Sequence, residues 1–240
     1  MKAVLSLLLA PIPSIIWLAF YLRKDTHPEP NRLVVKIFIF GALMVPLAGF
    51  FEFLFSLGLG KISILNKIVF AIIGFALIEE VLKYLVVRFG ILKNPHFDEP
   101  VDAMIYMIIS ALGFAAAENI YLLSIIYPAA TAASISEFIT TRFLGATFLH
   151  ALASGIIGYF LAASLFTKPG LRKLFIGGGI IAATILHSVF NYIIILSSSE
   201  IKIFNELTRN LYILILLLTA SIIVSSMFKK VSRYRSIHKV

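Results

Sequence analysis

The stretch Leu77-Ile78-Glu79-Glu80-Val81-Leu82-Lys83-Tyr84 puts two carboxylates and an ammonium inside an apolar run, about residues 64 to 87, that otherwise reads as a membrane-crossing helix. On insertion scales each charge at mid-membrane costs about 2.5 to 3.5 kcal/mol, so Glu79, Glu80 and Lys83 left unpaired would cost roughly 8 to 10 kcal/mol. Such a segment needs a fold that brings partners to it. Glu79 and Lys83 are four residues apart and Glu80 and Lys83 three apart, so on a helix one ammonium faces both carboxylates and neutralises about one of them. The other carboxylate is left for a proton, a metal or chemistry.

The rest of the chain fits a membrane setting. With 60% hydrophobic residues and a mean hydropathy of +0.99 over 240 residues, it reads as an all-α, polytopic transmembrane helical bundle. Apolar runs at about 4–22, 34–58, 64–87, 101–127, 138–166, 174–196 and 207–228 predict about seven spans, each near the roughly 20 residues that cross a bilayer. They form a single integral membrane domain over residues 1–240 with a basic cytoplasmic tail at 229–240. The first run ends in Arg23-Lys24 and lacks a small-x-small cleavage site, so it reads as a retained span rather than a signal peptide. Pro46 and Gly177-Gly178-Gly179 mark places where a helix could break.

Charge and cysteine usage narrow the function. The net charge of +9 falls mainly between apolar runs, where it sets topology, so nucleic-acid binding is not expected. Arg23, Lys24, Arg32, Lys36, Arg88, Lys93, Lys168, Arg172, Lys173 and the tail residues Lys229, Lys230, Arg233, Arg235 and Lys239 fall on one side. The other side has Lys2, Lys61, Lys67, Arg142, Lys202 and Arg209. The imbalance predicts an outside N-terminus and a cytoplasmic C-terminus; the expected location is the plasma membrane of a prokaryote. Without cysteine there is no thiol nucleophile and no thiolate metal site, which leaves histidine and carboxylate ligands.

At about 1.5 Å per residue, Glu80, Glu118, His150 and His187 come within about 8 Å of one another in depth, near the midplane, on four different spans. Phe114 and Glu118 share one face beside Ala115-Ala116-Ala117. His150 precedes Ser154, Gly155 and Gly158 on a closely packing face, and His187 and Asn191 are spaced i,i+4. Taken singly, each is explained by a structural hydrogen bond between helices. Taken together, ionisable groups gathered at one depth point to a functional site.

In their order on separate spans, Glu79-Glu80-x-x-Lys83, Phe114-x-x-x-Glu118, His150 and His187-x-x-x-Asn191 resemble the motif set of the PrsW family of intramembrane proteases. Asp25-x-x-Pro28-Glu29-Pro30 and Glu99-Pro100-Val101-Asp102 add to the likeness, which covers about residues 11 to 192. More distantly the pattern is similar to the CAAX-protease and bacteriocin-processing group, which has a histidine where this chain has Glu118. The resemblance implies hydrolysis of a peptide bond within or next to the membrane, in a membrane-anchored protein substrate such as an anti-sigma factor. Either Glu79 or Glu80 would activate water, with the other held by Lys83. His150 or Glu118 would position the water, and His187 and Asn191 would stabilise the oxyanion. In the competing version Glu80, Glu118, His150 and His187 supply ligands to a zinc-like divalent metal.

Other designs fit less well. There is no His-Glu-x-x-His, and Asp25, Asp98 and Asp102 fall in loops or at a helix start, which argues against an embedded aspartyl dyad. Ser154-Gly155 with His187 as base would leave Glu79 and Glu80 unexplained. A proton- or divalent-cation-coupled transporter is the alternative from another class, but it calls for paired broken helices and the glycine triplet has no clear counterpart. The hydrolytic reading requires Glu79 or Glu80 to lie within about 12 Å of His187, joined through a polar cavity.

Overall fold

The computed structural model describes residues 7–24, 27–60, 64–126, 131–197 and 203–233, and every regular element among them is helical. In chain order these are α1 (Ile12–Leu22), α2 (Asn31–Gly58), α3 (Ile64–Gly90), α4 (Pro100–Tyr121), which runs on into a π turn (Leu122–Ile126), α5 (Ala132–Leu144), α6 (Ala146–Leu165), α7 (Pro169–Leu196) and α8 (Glu206–Val231). Lys2, Asp25, Lys61, Lys202, Arg235 and Lys239, which entered the loop and tail readings, lie outside the described residues.

By length and apolarity five segments can cross a membrane: Asn31–Gly58, Pro100–Ser124, Ala133–Leu165, Pro169–Leu196 and Glu206–Val231. The equally long α3, with its charges, and the shorter apolar helix Leu7–Leu22 pack among them. The outer faces of α2, α7 and α8 carry exposed Leu43, Phe50, Phe53, Ile181, Ile185, Leu214 and Ile222, as contact with hydrocarbon requires. The protein is thus an integral membrane helical bundle.

Helix α4 is the axis of the bundle. Every residue from Pro100 to Ala116 is buried, as expected for a helix apolar on all sides. Helices α1, α2, α3 and α6 pack around it, α7 packs on α3 and α6, and α8 on α6. At its start, Asp102 Oδ2 accepts the backbone N–H groups of Asp98 (3.0 Å) and Glu99 (2.8 Å). Tyr106 donates to Glu29 Oε2 at 2.5 Å and His27 Nδ1 lies 2.7 Å from Glu99 Oε1. The Pro28-Glu29-Pro30 loop and the Glu99-Pro100-Val101-Asp102 turn, far apart in sequence, are therefore one structural unit.

Two sequence-level breakpoints do not break. α2 passes through Pro46 and α7 through the glycine triplet. Its last member serves close packing instead, since a Cβ on Gly179 would sit 2.7 Å from Phe160 Cβ. The run at 138–166, expected as one helix, divides at Gly145, whose φ of −109° and ψ of −102° leave the helical region. Trp17 holds this junction by donating Nε1–H to the Phe143 carbonyl (2.9 Å) and stacking on Phe148, with ring centroids 4.1 Å apart.

The tightest backbone approach is between α2 and α4. A Cβ on Gly41 would meet Ser110 O at 2.1 Å, and one on Gly113 would meet Phe38 O at 1.9 Å. The contacts are reciprocal, each glycine lying over the carbonyl three residues before the other, so neither helix can yield to a methyl group alone. Gly113→Ala is expected to cost about 1–3 kcal/mol or more by overpacking. Gly177, with nothing within 4 Å of its would-be Cβ, should accept Ala without loss. Thermal midpoints of the two variants in detergent check this, and a Gly113→Ala protein that melts with the wild type would refute the close contact.

Candidate active site

The charged side chains of α3 point inward and meet α4, α6 and α7. Lys83 is fully buried, and its ammonium uses all three of its donors. It lies 2.8 Å from Glu80 Oε1, 3.1 Å from Glu79 Oε2 and 2.8 Å from His150 Nδ1. The Phe114 ring caps it, 4.4 Å from Nζ to the centroid, a cation–π contact within a buried setting. The i,i+3 and i,i+4 spacings thus do what helical geometry allows, and the third bond ties α3 to α6.

Each carboxylate has a different degree of engagement. Glu80, fully buried, also accepts from Ser154 Oγ at 3.1 Å and lies 3.0 Å from His187 Nδ1. Because a carboxylate only accepts, His187 donates Nδ1–H to it, and its Nε2 faces Glu79 Oε2 at 4.0 Å. Glu79 holds one short bond, to Lys83, and its side chain keeps 12% of its surface open. Glu118 is held by His150 Nε2 at 3.1 Å and by Arg142 Nη2. With Lys83 donating to Nδ1, His150 carries its proton on Nε2 and donates it to Glu118. The two imidazoles meet edge to face, centroids 5.0 Å apart.

Of the residues singled out from sequence, Glu79, Glu80, Lys83, Glu118, His150 and His187 form one contiguous nest at the meeting point of four helices. The required proximity of the acidic pair to His187 is met by direct contact. Asn191 stands one turn beyond His187 on α7, half-buried, and makes no hydrogen bond with a described residue. Ser154, weighed above as a nucleophile, instead holds Glu80.

Arg142 was read as a topological cation, yet it reaches inward from α5 to Glu118 and, through Nε, to Asn119 Oδ1. Asn119 in turn donates to Thr147 Oγ1 (3.2 Å) and the Ala10 carbonyl (3.3 Å), joining the turn before α1 to α4, α5 and α6. The position of Arg142 inside the apolar run at 138–166 is the sequence signal for this inward role. Glu52 of α2, an acid inside the run at 34–58, was passed over in the same way. It lies within electrostatic reach of Glu79, Glu118, Lys83 and His187.

Glu79, Glu80, His150 and His187 each offer a ligand atom within 4.8 Å of the others, and all but the partly open Glu79 are buried. Two imidazoles with two carboxylates are a donor set that fits a zinc-like divalent ion. In this structure the Lys83 ammonium bonds to three of those four residues.

Comparison with known proteins agrees with this arrangement. The model of the PrsW family of intramembrane metalloproteases matches residues 29–224, which takes in every residue of the nest. The chain is 32% identical to Protease PrsW of Oceanobacillus iheyensis, over 79% of this chain and 83% of that protein. It is 29% identical to Protease PrsW of Geobacillus kaustophilus, over 73% of each chain, and 27% identical to that of Bacillus subtilis, over 76% of this chain and 79% of that protein. No solved structure matches. With a family match over most of its length and a buried carboxylate–histidine nest inside the matched region, the chain belongs to the PrsW family of intramembrane metalloproteases.

Proposed function

We propose that this protein is an endopeptidase that cuts a membrane-anchored protein within or beside its membrane segment, with Glu79 as the base toward water and Glu80 as its buried anchor. The observation that carries this division of labour is the unequal engagement of the pair. Glu80 is enclosed by Lys83, Ser154 and His187, whereas Glu79 is bonded through one oxygen and partly open. A base needs a free lone pair and access to its water, and of the two Glu79 has both.

In this mechanism Glu79 takes a proton from water as the oxygen attacks the scissile carbonyl, and returns it to the departing amine. Lys83, next to Glu79 and the histidines, keeps the developing negative charge near a fixed cation. His187, oriented by Glu80 through its Nδ1–H, presents Nε2 on the Glu79 side as an acceptor, and the Asn191 amide is the donor facing the oxyanion. His150 and Glu118, locked by Arg142, position the attacking water. In the metal-dependent form Glu80, His150 and His187 would hold a divalent ion, with Glu79 left beside it as the base and Glu118 close by through His150. When bound, such an ion supplies a lowered proton affinity of water.

A single-span regulator with a short outer domain, of the anti-sigma-factor kind, is the substrate class that the family resemblance suggests. The distribution of basic residues supports an outside N-terminus and a cytoplasmic tail at 229–240, and the location that goes with this reading is a prokaryotic plasma membrane. The relatives named above carry protease names, which favours hydrolysis over the transport reading.

Purified protein incubated with a membrane-anchored substrate tests the assignment. Glu79→Gln is expected to lower the cleavage rate about 10²–10⁴-fold with an unchanged thermal midpoint. Glu80→Gln should lose activity and also melt earlier, because it disturbs a buried charge network whose disruption costs about 3–5 kcal/mol. Full-speed cleavage by the Glu79 variant would overturn the reading. Chelation is expected to remove metal and cleavage together, with zinc restoring both. Undiminished cleavage by metal-free protein would leave carboxylates and histidines as the whole machinery.

A further inference from the structure

The registers of α2 and α3 place Glu52 at the rim of the nest. Along this antiparallel pair, Ile37 Cδ1 lies 2.6 Å from where a Cβ on Gly90 would be, and the Phe55 ring lies 2.3 Å from the corresponding point on Gly74. Phe55 also meets Phe75 edge to face. Between these two contacts Glu52 is level with Ala76 and Leu77, about one helical turn from Glu79 toward the end where α2 stops and α3 begins. Glu52 is half-buried between the exposed Phe51 and Phe53, so it lies on the inner side of α2, and it is electrostatically coupled to Glu79, Glu118, Lys83 and His187.

Its bonding sets it apart from the other acids. Glu80 is enclosed, Glu79 is bonded to Lys83, and Glu118 is held by Arg142 and His150. Glu52, half-buried in an apolar helix, makes no hydrogen bond or ion pair with a described residue. The nest carboxylates that keep some exposure are Glu79 and Glu118, and Glu52 is electrostatically coupled to both.

A peptide presented for cleavage must leave its helix locally, and in an apolar setting each freed backbone N–H needs an acceptor or costs several kcal/mol. We propose that Glu52 is a substrate-binding residue that accepts backbone N–H groups of the unwound segment beside the scissile bond and so holds that bond against Glu79. A carboxyl group keeps an acceptor oxygen in either protonation state, so this role does not depend on its charge. The inference rests on the protease reading above and adds to it how the extended substrate is gripped.

Steady-state cleavage of a single-span, membrane-anchored reporter tests it, using Glu52→Leu, which removes the acceptor, and Glu52→Gln, which keeps one. Glu52→Leu is expected to raise KM about ten- to a hundred-fold with kcat nearly unchanged, the signature of lost binding shared by ground and transition states. Glu52→Gln should stay within about threefold of wild type, and neither variant should melt earlier, since Glu52 makes no hydrogen bond or ion pair with a described residue. Wild-type KM in Glu52→Leu would overturn the proposal, as would a Glu52→Gln protein whose kcat falls like that of Glu79→Gln, since that would make Glu52 a proton-transfer group. A lowered midpoint without a change in KM would make Glu52 structural and also overturn it. No cleavage by the wild type would overturn the protease reading and this one together, whereas the other outcomes leave the former standing.

Discussion

The bond from Lys83 to His150 is the interaction on which the site depends. Without it the ammonium would neutralise Glu79 and Glu80 along its own helix, and α3 would be a charged span closed on itself. By giving its third donor to an imidazole on α6, Lys83 joins the acidic pair to the helix that also carries Ser154, and Ser154 and His187 then close around Glu80. Burying that many charges is tolerable because nearly every donor and acceptor is matched. Phe114 completes the enclosure with a ring face rather than a hydrogen bond.

This network needs helices held close and at fixed heights, and α4 provides that. Its glycine contact with α2, and the approach of Gly158 on α6 to within 2.5 Å of Met104 Cα measured from a would-be Cβ, leave little freedom to slide. Phe114 and Glu118, one turn apart on α4, are thereby set against Lys83 and His150 respectively. The Pro28-Glu29-Pro30 loop fastens the other end of the same helix through Tyr106. Rigidity at both ends and an acid with an unengaged oxygen in the middle is a combination suited to directing water at a held substrate.

Sequence by itself determined that the chain is a helical membrane protein, because composition and run length allow little else, and that Glu79, Glu80 and Lys83 must be paired, because helical spacing and the cost of bare charge in hydrocarbon demand it. It also determined that Glu118, His150 and His187 share a depth, since rise per residue is constant along each span. The order of helices around α4 was not legible, because depth carries no lateral information. The partners of Glu118 therefore emerged only from the fold, which brings Arg142, a cation inside the apolar run at 138–166, to its carboxylate. Which carboxylate is enclosed and which is open was likewise decided by tertiary structure, since Glu79 and Glu80 are chemically identical neighbours that differ in the helices they face.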